Sequence, residues 1–134
     1  MKQYEELLAH LNSLKKFCYV PYSKFKVVCS IYLKNGKIIN GVNIENAAYN
    51  PTICAERAAI SQLITNGFKD EEIKYIALFS ESNIPIYPCG TCRQTLSEFI
   101  DFNTNFLIFN SNGFIEKRVF AEFLPYSFNK TYIK

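Results

Sequence analysis

The sequence predicts an α/β protein with three α-β-α layers around a mixed five-stranded sheet. Three observations carry that expectation. Hydrophobic periodicity switches along the chain between the helical and the extended repeat, in the order α-β-β-α-β-α-β-β. One stretch, Ile73 to Ser80, is apolar almost without interruption, as a strand covered on both faces requires. The chemistry-bearing residues fall where strand-end loops run into helices, the usual place for a site in an open α/β sheet.

Taken in order, Gln3 to Cys18 reads as an amphipathic helix, with Tyr4, Leu7, Leu8, Leu11, Leu14 and Cys18 at helical spacing. His10, the only histidine, belongs to the surface of that helix, since no other candidate ligand lies near it in sequence. Val20-Pro21-Tyr22-Ser23 ends the helix, and Phe25 to Leu33 follows as a strand. Asn35-Gly36 is a hairpin turn signal, and Lys37 to Glu45 returns as the second strand. Period two then places Asn43 and Glu45 on one face, as a pair able to grip a diol or as a solvated edge.

Asn46 to Thr52 is a loop, with Thr52 the expected N-cap of a helix from about Ile53 to Asn66 and Gly67 its C-terminal stop. Ile73 to Ser80 is the third strand, and Pro85 and Pro88 mark the loop before Cys89. Gly90 to Ile100 reads as a helix and Phe106 to Asn110 as a strand. Ser111-Asn112-Gly113 turns the chain into a last strand, Phe114 to Val119, with a short helical turn from Ala121.

The 134 residues suit one domain spanning 1–134, and 49% hydrophobic with 16% aromatic residues is enough for a full core and a subunit interface besides. A net charge of +3 with scattered lysines does not form a nucleic-acid stripe. No apolar run is long enough to span a membrane, and Met1 to Glu6 has no signal-peptide character. Five cysteines without small-scaffold spacing fit thiolate metal ligands in a reducing cytoplasm better than a disulfide framework.

Two islands carry the chemistry: Cys54-Ala55-Glu56-Arg57 and Pro88-Cys89-Gly90-Thr91-Cys92-Arg93-Gln94. A glutamate two residues after a cysteine, and a Cys-x-x-Cys pair after a proline, form the zinc-deaminase signature in its three-cysteine version. Cys54, Cys89 and Cys92 supply three ligands and leave the open position that a catalytic zinc keeps for water. Water held there loses its proton near neutral pH. Glu56 is the expected proton shuttle rather than a fourth ligand, which would close the site.

Three thiolates outweigh the metal's charge. Cys54 and Cys89 or Cys92 open helices, whose N-termini stabilise anions. Two of the three arginines, Arg57 and Arg93, flank the cysteines, and Arg57 is the first choice to donate to a ligand sulfur. A redox reading of Cys-x-x-Cys leaves Cys54 and Glu56 unexplained, and a closed structural zinc site lacks a fourth ligand with suitable spacing. Cys18 and Cys29 read as small buried hydrophobes.

Five stretches in order resemble the small, homotetrameric cytidine deaminases: Tyr19-Val20-Pro21-Tyr22-Ser23-Lys24-Phe25, Asn43-Ile44-Glu45-Asn46-Ala47, Cys54 to Ala59, Pro88 to Gln94, and Leu124-Pro125-Tyr126-Ser127-Phe128. They extend over most of the chain. The resemblance implies hydrolysis of cytidine and deoxycytidine to uridine and deoxyuridine for pyrimidine salvage, with one zinc per subunit. It implies that Asn43 and Glu45 hold the ribose, that Phe25 packs against the nucleoside, and that the Ala55 backbone helps read the pyrimidine. Tyr49 and Phe128 would reach a neighbouring subunit's pocket, giving a homotetramer with composite active sites. Val28-Cys29 replaces the family's usual Gly-Ala pair, and the proline after Tyr49 is displaced by one position. A deaminase for another small aminopyrimidine or nucleoside-like antibiotic and a nucleic-acid editing or zinc-binding module are the alternatives. Asn43-Ile44-Glu45-Asn46, a sugar grip, opposes the first; the modest charge and short loops oppose the second.

Overall fold

The computed structural model describes residues 2–133. Helix α1 (Lys2–Leu14) leads through a 3₁₀ turn into a hairpin of β1 (Val27–Leu33) and β2 (Ile38–Val42). Helix α2 (Ala55–Thr65), β3 (Ile73–Ser80), α3 (Gly90–Phe99), β4 (Asn105–Asn110) and β5 (Gly113–Val119) follow. The sheet order is β2-β1-β3-β4-β5, with β3 and β4 parallel and the other neighbours antiparallel. This is the expected mixed five-stranded sheet.

Its two faces bury separate cores. Ile76 and Leu78 of β3 point into a cluster with Ala59, Leu63 and Leu96 of α2 and α3, while Ala77 and Phe79 join Leu7 and Leu11 of α1 on the other side. The uninterrupted apolar run of β3 is explained by this, since alternate residues of one strand face two different helix layers.

Register decides where the site lies. Val28 of β1 pairs with Val42 on one side and with Phe79 on the other. The carboxyl ends of β2 and β3 therefore lie at one edge of the sheet. The chain leaves that edge twice, once toward Cys54 and once toward Cys89. The two islands meet because β1 separates their parent strands at matched height.

Several boundaries differ from the sequence reading. The first helix stops at Leu14, and Lys15–Phe17 tighten into a 3₁₀ turn. The first strand starts at Val27, not Phe25, because Lys24 adopts a left-handed backbone (φ 61°) that breaks extension. The second strand ends at Val42. Its continuation is a single bridge at Ile44, which pairs with Tyr19 and with Ile53. Thr52 is not the N-cap of α2: Cys54 holds that position, and the Thr52 hydroxyl instead accepts from the Asn46 amide at 3.2 Å. Gly67 does follow the helix end in a left-handed conformation (φ 79°). Val28 and Cys29 are buried without distortion of the β1–β2 pairing. His10 is half-buried, with its Nε2 3.0 Å from Asn40 Oδ1. No described helix is long and apolar enough to cross a membrane.

Gly41 sets how closely α2 packs on the sheet. A Cβ there would lie 2.4 Å from the Ala55 carbonyl oxygen and 2.4 Å from the Ala59 amide nitrogen. Both obstacles are backbone, so the helix itself must move. Gly41→Ala is expected to destabilise the fold by about 1–3 kcal/mol, the usual cost of overpacking. Urea denaturation of the purified variant checks this, and an unchanged midpoint and slope would contradict the close-approach argument.

Candidate active site

Cys54 and Cys89 are the N-caps of α2 and α3, and Cys92 lies in the first turn of α3. Extended backbone at both caps (φ −74° and −68°) directs each chain into its helix immediately after the cysteine. The three sulfurs lie within 4.8 Å of one another, and all three cysteines are free thiols. Cys54 Sγ and Cys89 Sγ are 3.8 Å apart. A disulfide requires about 2.05 Å. Two sulfurs bound at about 2.3 Å to a tetrahedral ion would sit about 3.8 Å apart. The donor set therefore fits zinc by chemistry and by spacing.

Charge at the sulfurs is compensated locally. Arg57 Nη2 donates to Cys54 Sγ at 3.6 Å and to the Thr52 carbonyl at 3.1 Å. The hydrogen bond with Cys92, opposed by burial and aided by Arg57, pushes the Cys54 thiol down to about 5. Cys54 is thus a thiolate at neutral pH, ready to bind a cation. Its interaction with Cys54, followed by burial, raises the Cys92 thiol. The α2 and α3 N-termini add their own stabilisation to charge at Cys54 and Cys89. Arg57 Nε is buried without a partner among the described residues. Such a group costs about 1–3 kcal/mol, so the guanidinium is held there at a penalty that the neighbouring sulfur charge offsets.

Glu56 follows in the first turn of α2 and is 5% exposed. Burial pushes its carboxyl up to about 7; its own backbone amide opposes this, and the Cys54 charge reinforces it. A carboxyl titrating near neutrality both takes and returns a proton easily, the property a shuttle needs. Ala55, fully buried, brings its backbone between the cysteine and the glutamate.

Asn43 and Glu45 lie on a short ribbon beside this centre. Ile44 exchanges two backbone bonds of 2.9 Å with Ile53, the residue before Cys54. The Asn43 amide donates to the Phe25 carbonyl at 2.8 Å and accepts from the Val27 amide at 3.1 Å. Glu45 Oε1 accepts from the Tyr22 and Ser23 amides, each at 3.1 Å. Interactions with Ser23, first through its side chain and then its backbone, keep the Glu45 carboxyl below its ordinary range. Both side chains thus face the Tyr22–Val27 segment, although the regular strand that was to align them has already ended. Phe25 is 36% exposed, Phe128 62% and Tyr49 90%. These three are on the surface of the single chain, and nothing among the described residues covers Tyr49.

The chain matches the model of the cytidine and deoxycytidylate deaminase zinc-binding region over residues 1–107. The chain belongs to that family. It is 37% identical over 126 residues to a cytidine deaminase of Sporosarcina psychrophila, covering 94% of this chain and 91% of that one. It is 39% identical over 122 residues to a cytidine deaminase of Halalkalibacterium halodurans, covering 91% of each. The crystal structure of cytidine deaminase from Burkholderia pseudomallei superposes with a TM-score of 0.86 at 32% identity, over 93% of this chain and 98% of that one. Family membership and a three-sulfur cluster of zinc dimensions agree on the cofactor: this is a zinc-binding domain.

Sequence reasoning missed two contacts. Arg93 does not donate to a sulfur; its Nε and Nη1 donate to the carbonyls of Pro88 and Phe123. Gln94 Nε2 donates to the Phe128 carbonyl at 2.8 Å. Both residues stand in the Pro88 to Gln94 island, but their partners are remote in sequence. For Arg57, substitution by glutamine is expected to weaken zinc binding about 10–100-fold, as loss of a ligand's outer partner does. Competition with a chromogenic chelator measures it, and wild-type affinity in the variant would remove Arg57 from the site.

Proposed function

We propose that this protein is a cytidine deaminase that hydrolyses cytidine and deoxycytidine to uridine and deoxyuridine, releasing ammonia. The observation that carries the reading is a buried glutamate, two residues from one of three converging cysteine sulfurs, with its carboxyl poised near neutrality. Zinc, when bound by Cys54, Cys89 and Cys92, supplies the Lewis acidity that brings water's proton loss toward neutral pH. Glu56 takes that proton and delivers it to the ring nitrogen next to the amino-bearing carbon. A second transfer through the same carboxyl protonates the departing amino group, so one water enters and one ammonia leaves. Glu56 is only 5% exposed, which keeps the carboxyl from being levelled by bulk water.

Recognition falls to residues that the chain itself orients. Glu45, held ionised by the Tyr22–Ser23 loop, accepts hydrogen bonds from a ribose hydroxyl, and the Asn43 amide lies beside it. Phe25 lines the same side, and the Ala55 backbone reads the pyrimidine edge. The single domain assembles as a homotetramer in the cytoplasm, serving pyrimidine salvage. Exposed Tyr19, Tyr22, Ile44, Tyr49, Ile53 and Phe128 support assembly, since a monomer seldom leaves so much large apolar surface in water. Tyr49 and Phe128 complete a neighbouring subunit's pocket.

Glu56→Ala is expected to keep about one zinc per chain and to lose cytidine turnover by more than about a thousandfold, consistent with removal of an essential acid-base group. Loss of cytidine absorbance beside a metal assay decides this. A zinc-loaded wild type that ignores both nucleosides would end the substrate assignment and turn attention to other aminopyrimidines. Composite sites predict a further result. Refolded mixtures of Glu56→Ala and Phe128→Ala subunits should recover activity that neither has alone, because one subunit supplies Glu56 and its neighbour supplies Phe128. Absence of recovery would place Phe128 outside a shared site.

A further inference from the structure

The loop that enters Cys89 is fastened to the far end of the chain. Arg93 Nε donates to the Pro88 carbonyl at 2.6 Å, one residue before the ligand. Arg93 Nη1 donates to the Phe123 carbonyl at 2.8 Å, and the guanidinium lies 5.6 Å from the centre of the Phe123 ring. Tyr87 packs on the same ring at 5.5 Å and donates its hydroxyl to Glu116 of β5. Phe123 is buried, so it is a fixed base for both contacts. One turn of α3 thus connects the ligand loop with the C-terminal segment, and Gln94 adds the bond to Phe128.

We propose that Arg93 is a positioning residue for the Cys89 ligand, locking its loop onto the C-terminal segment so that zinc retention depends on that clamp. This rests on the reading of Cys54, Cys89 and Cys92 as the zinc ligands. Cys89 is the most solvent-exposed of the three cysteines, and the carbonyl preceding it is one that the clamp holds. The arginine fork suits the task. Two nitrogens in fixed planar geometry hold two carbonyls that are far apart in sequence, which a lysine ammonium on a flexible stem does not reproduce. Charged donors also make hydrogen bonds roughly twice as strong as neutral ones. Loss of the fork frees the Pro88 carbonyl and lets Cys89 drift from its 3.8 Å separation from Cys54.

The test is chelator-driven zinc loss from wild type, Arg93→Gln and Arg93→Lys, with far-UV circular dichroism of each. Both variants are expected to release zinc about 10–100-fold faster, in line with the loss of an outer-shell partner, while the spectrum stays native. Cobalt-loaded Arg93→Gln should also show shifted thiolate-to-metal charge-transfer bands, which a defect confined to general stability does not produce. Arg93→Lys keeps the charge and serves if the glutamine variant fails to fold. Wild-type release rates and an unshifted cobalt spectrum in folded variants would overturn the proposal. Neither readout needs cytidine, so an unreactive nucleoside leaves this result standing. A wild type without zinc brings down the ligand reading and the clamp together.

Discussion

Three sulfur atoms within 4.8 Å of one another are the constraint around which the structure is arranged. Their charges repel when ionised, and they come from two segments 35 residues apart. Each feature near them reduces that cost. The helix N-termini of α2 and α3 point partial positive charge at Cys54 and Cys89. Arg57 brings a full charge to Cys54, tied down by the Thr52 carbonyl. The sheet brings the two loops to one edge through matched pairing on both sides of β1. The glycine at position 41 lets α2 sit close enough to take part.

The same packing gives Glu56 its chemistry. An exposed glutamate would be fully ionised at neutral pH and a poor proton donor. In the first turn of a helix pressed against the sheet, the carboxyl loses its solvent and rises to about 7. The packing of α2 against the sheet thus also accounts for the raised carboxyl of Glu56. Cys54 and Glu56, the proposed ligand and shuttle, stand at the cap and first turn of one helix, so whatever positions one positions the other.

The polar ribbon and the aromatic surface follow another logic. Asn43 and Glu45 spend part of their hydrogen-bonding capacity on the Tyr22–Val27 loop, which fixes their direction before any ligand arrives. Tyr49 and Phe128 are instead left in solvent by the single chain. Residues oriented from within and residues exposed on the single chain make up the two halves of the pocket proposed for the nucleoside.

Much of this was legible in the chain itself. The strand at Ile73–Ser80, the Asn35-Gly36 turn, the glycine stop after α2 and the two cysteine islands each depend on neighbours in sequence, where periodicity and local sterics act. The chemical types of Cys54, Cys89 and Cys92 pointed to the metal, Glu56 to the proposed proton carrier, and Arg57 could be paired with Cys54 because three residues span one helix turn. The strand limits at Val27 and Val42 were not readable, because a left-handed Lys24 and the bridge at Ile44 end the ladder for tertiary reasons. Nor was the role of Arg93, whose partner Phe123 lies 30 residues away. Sequence by itself determined which chemical groups stand in the two islands, since that is a property of residue type and short spacing. Only the tertiary structure decided that the two islands meet, that Glu56 is dry and that Arg93 faces a carbonyl rather than a sulfur, because those outcomes depend on sheet register and on packing between segments distant in the chain.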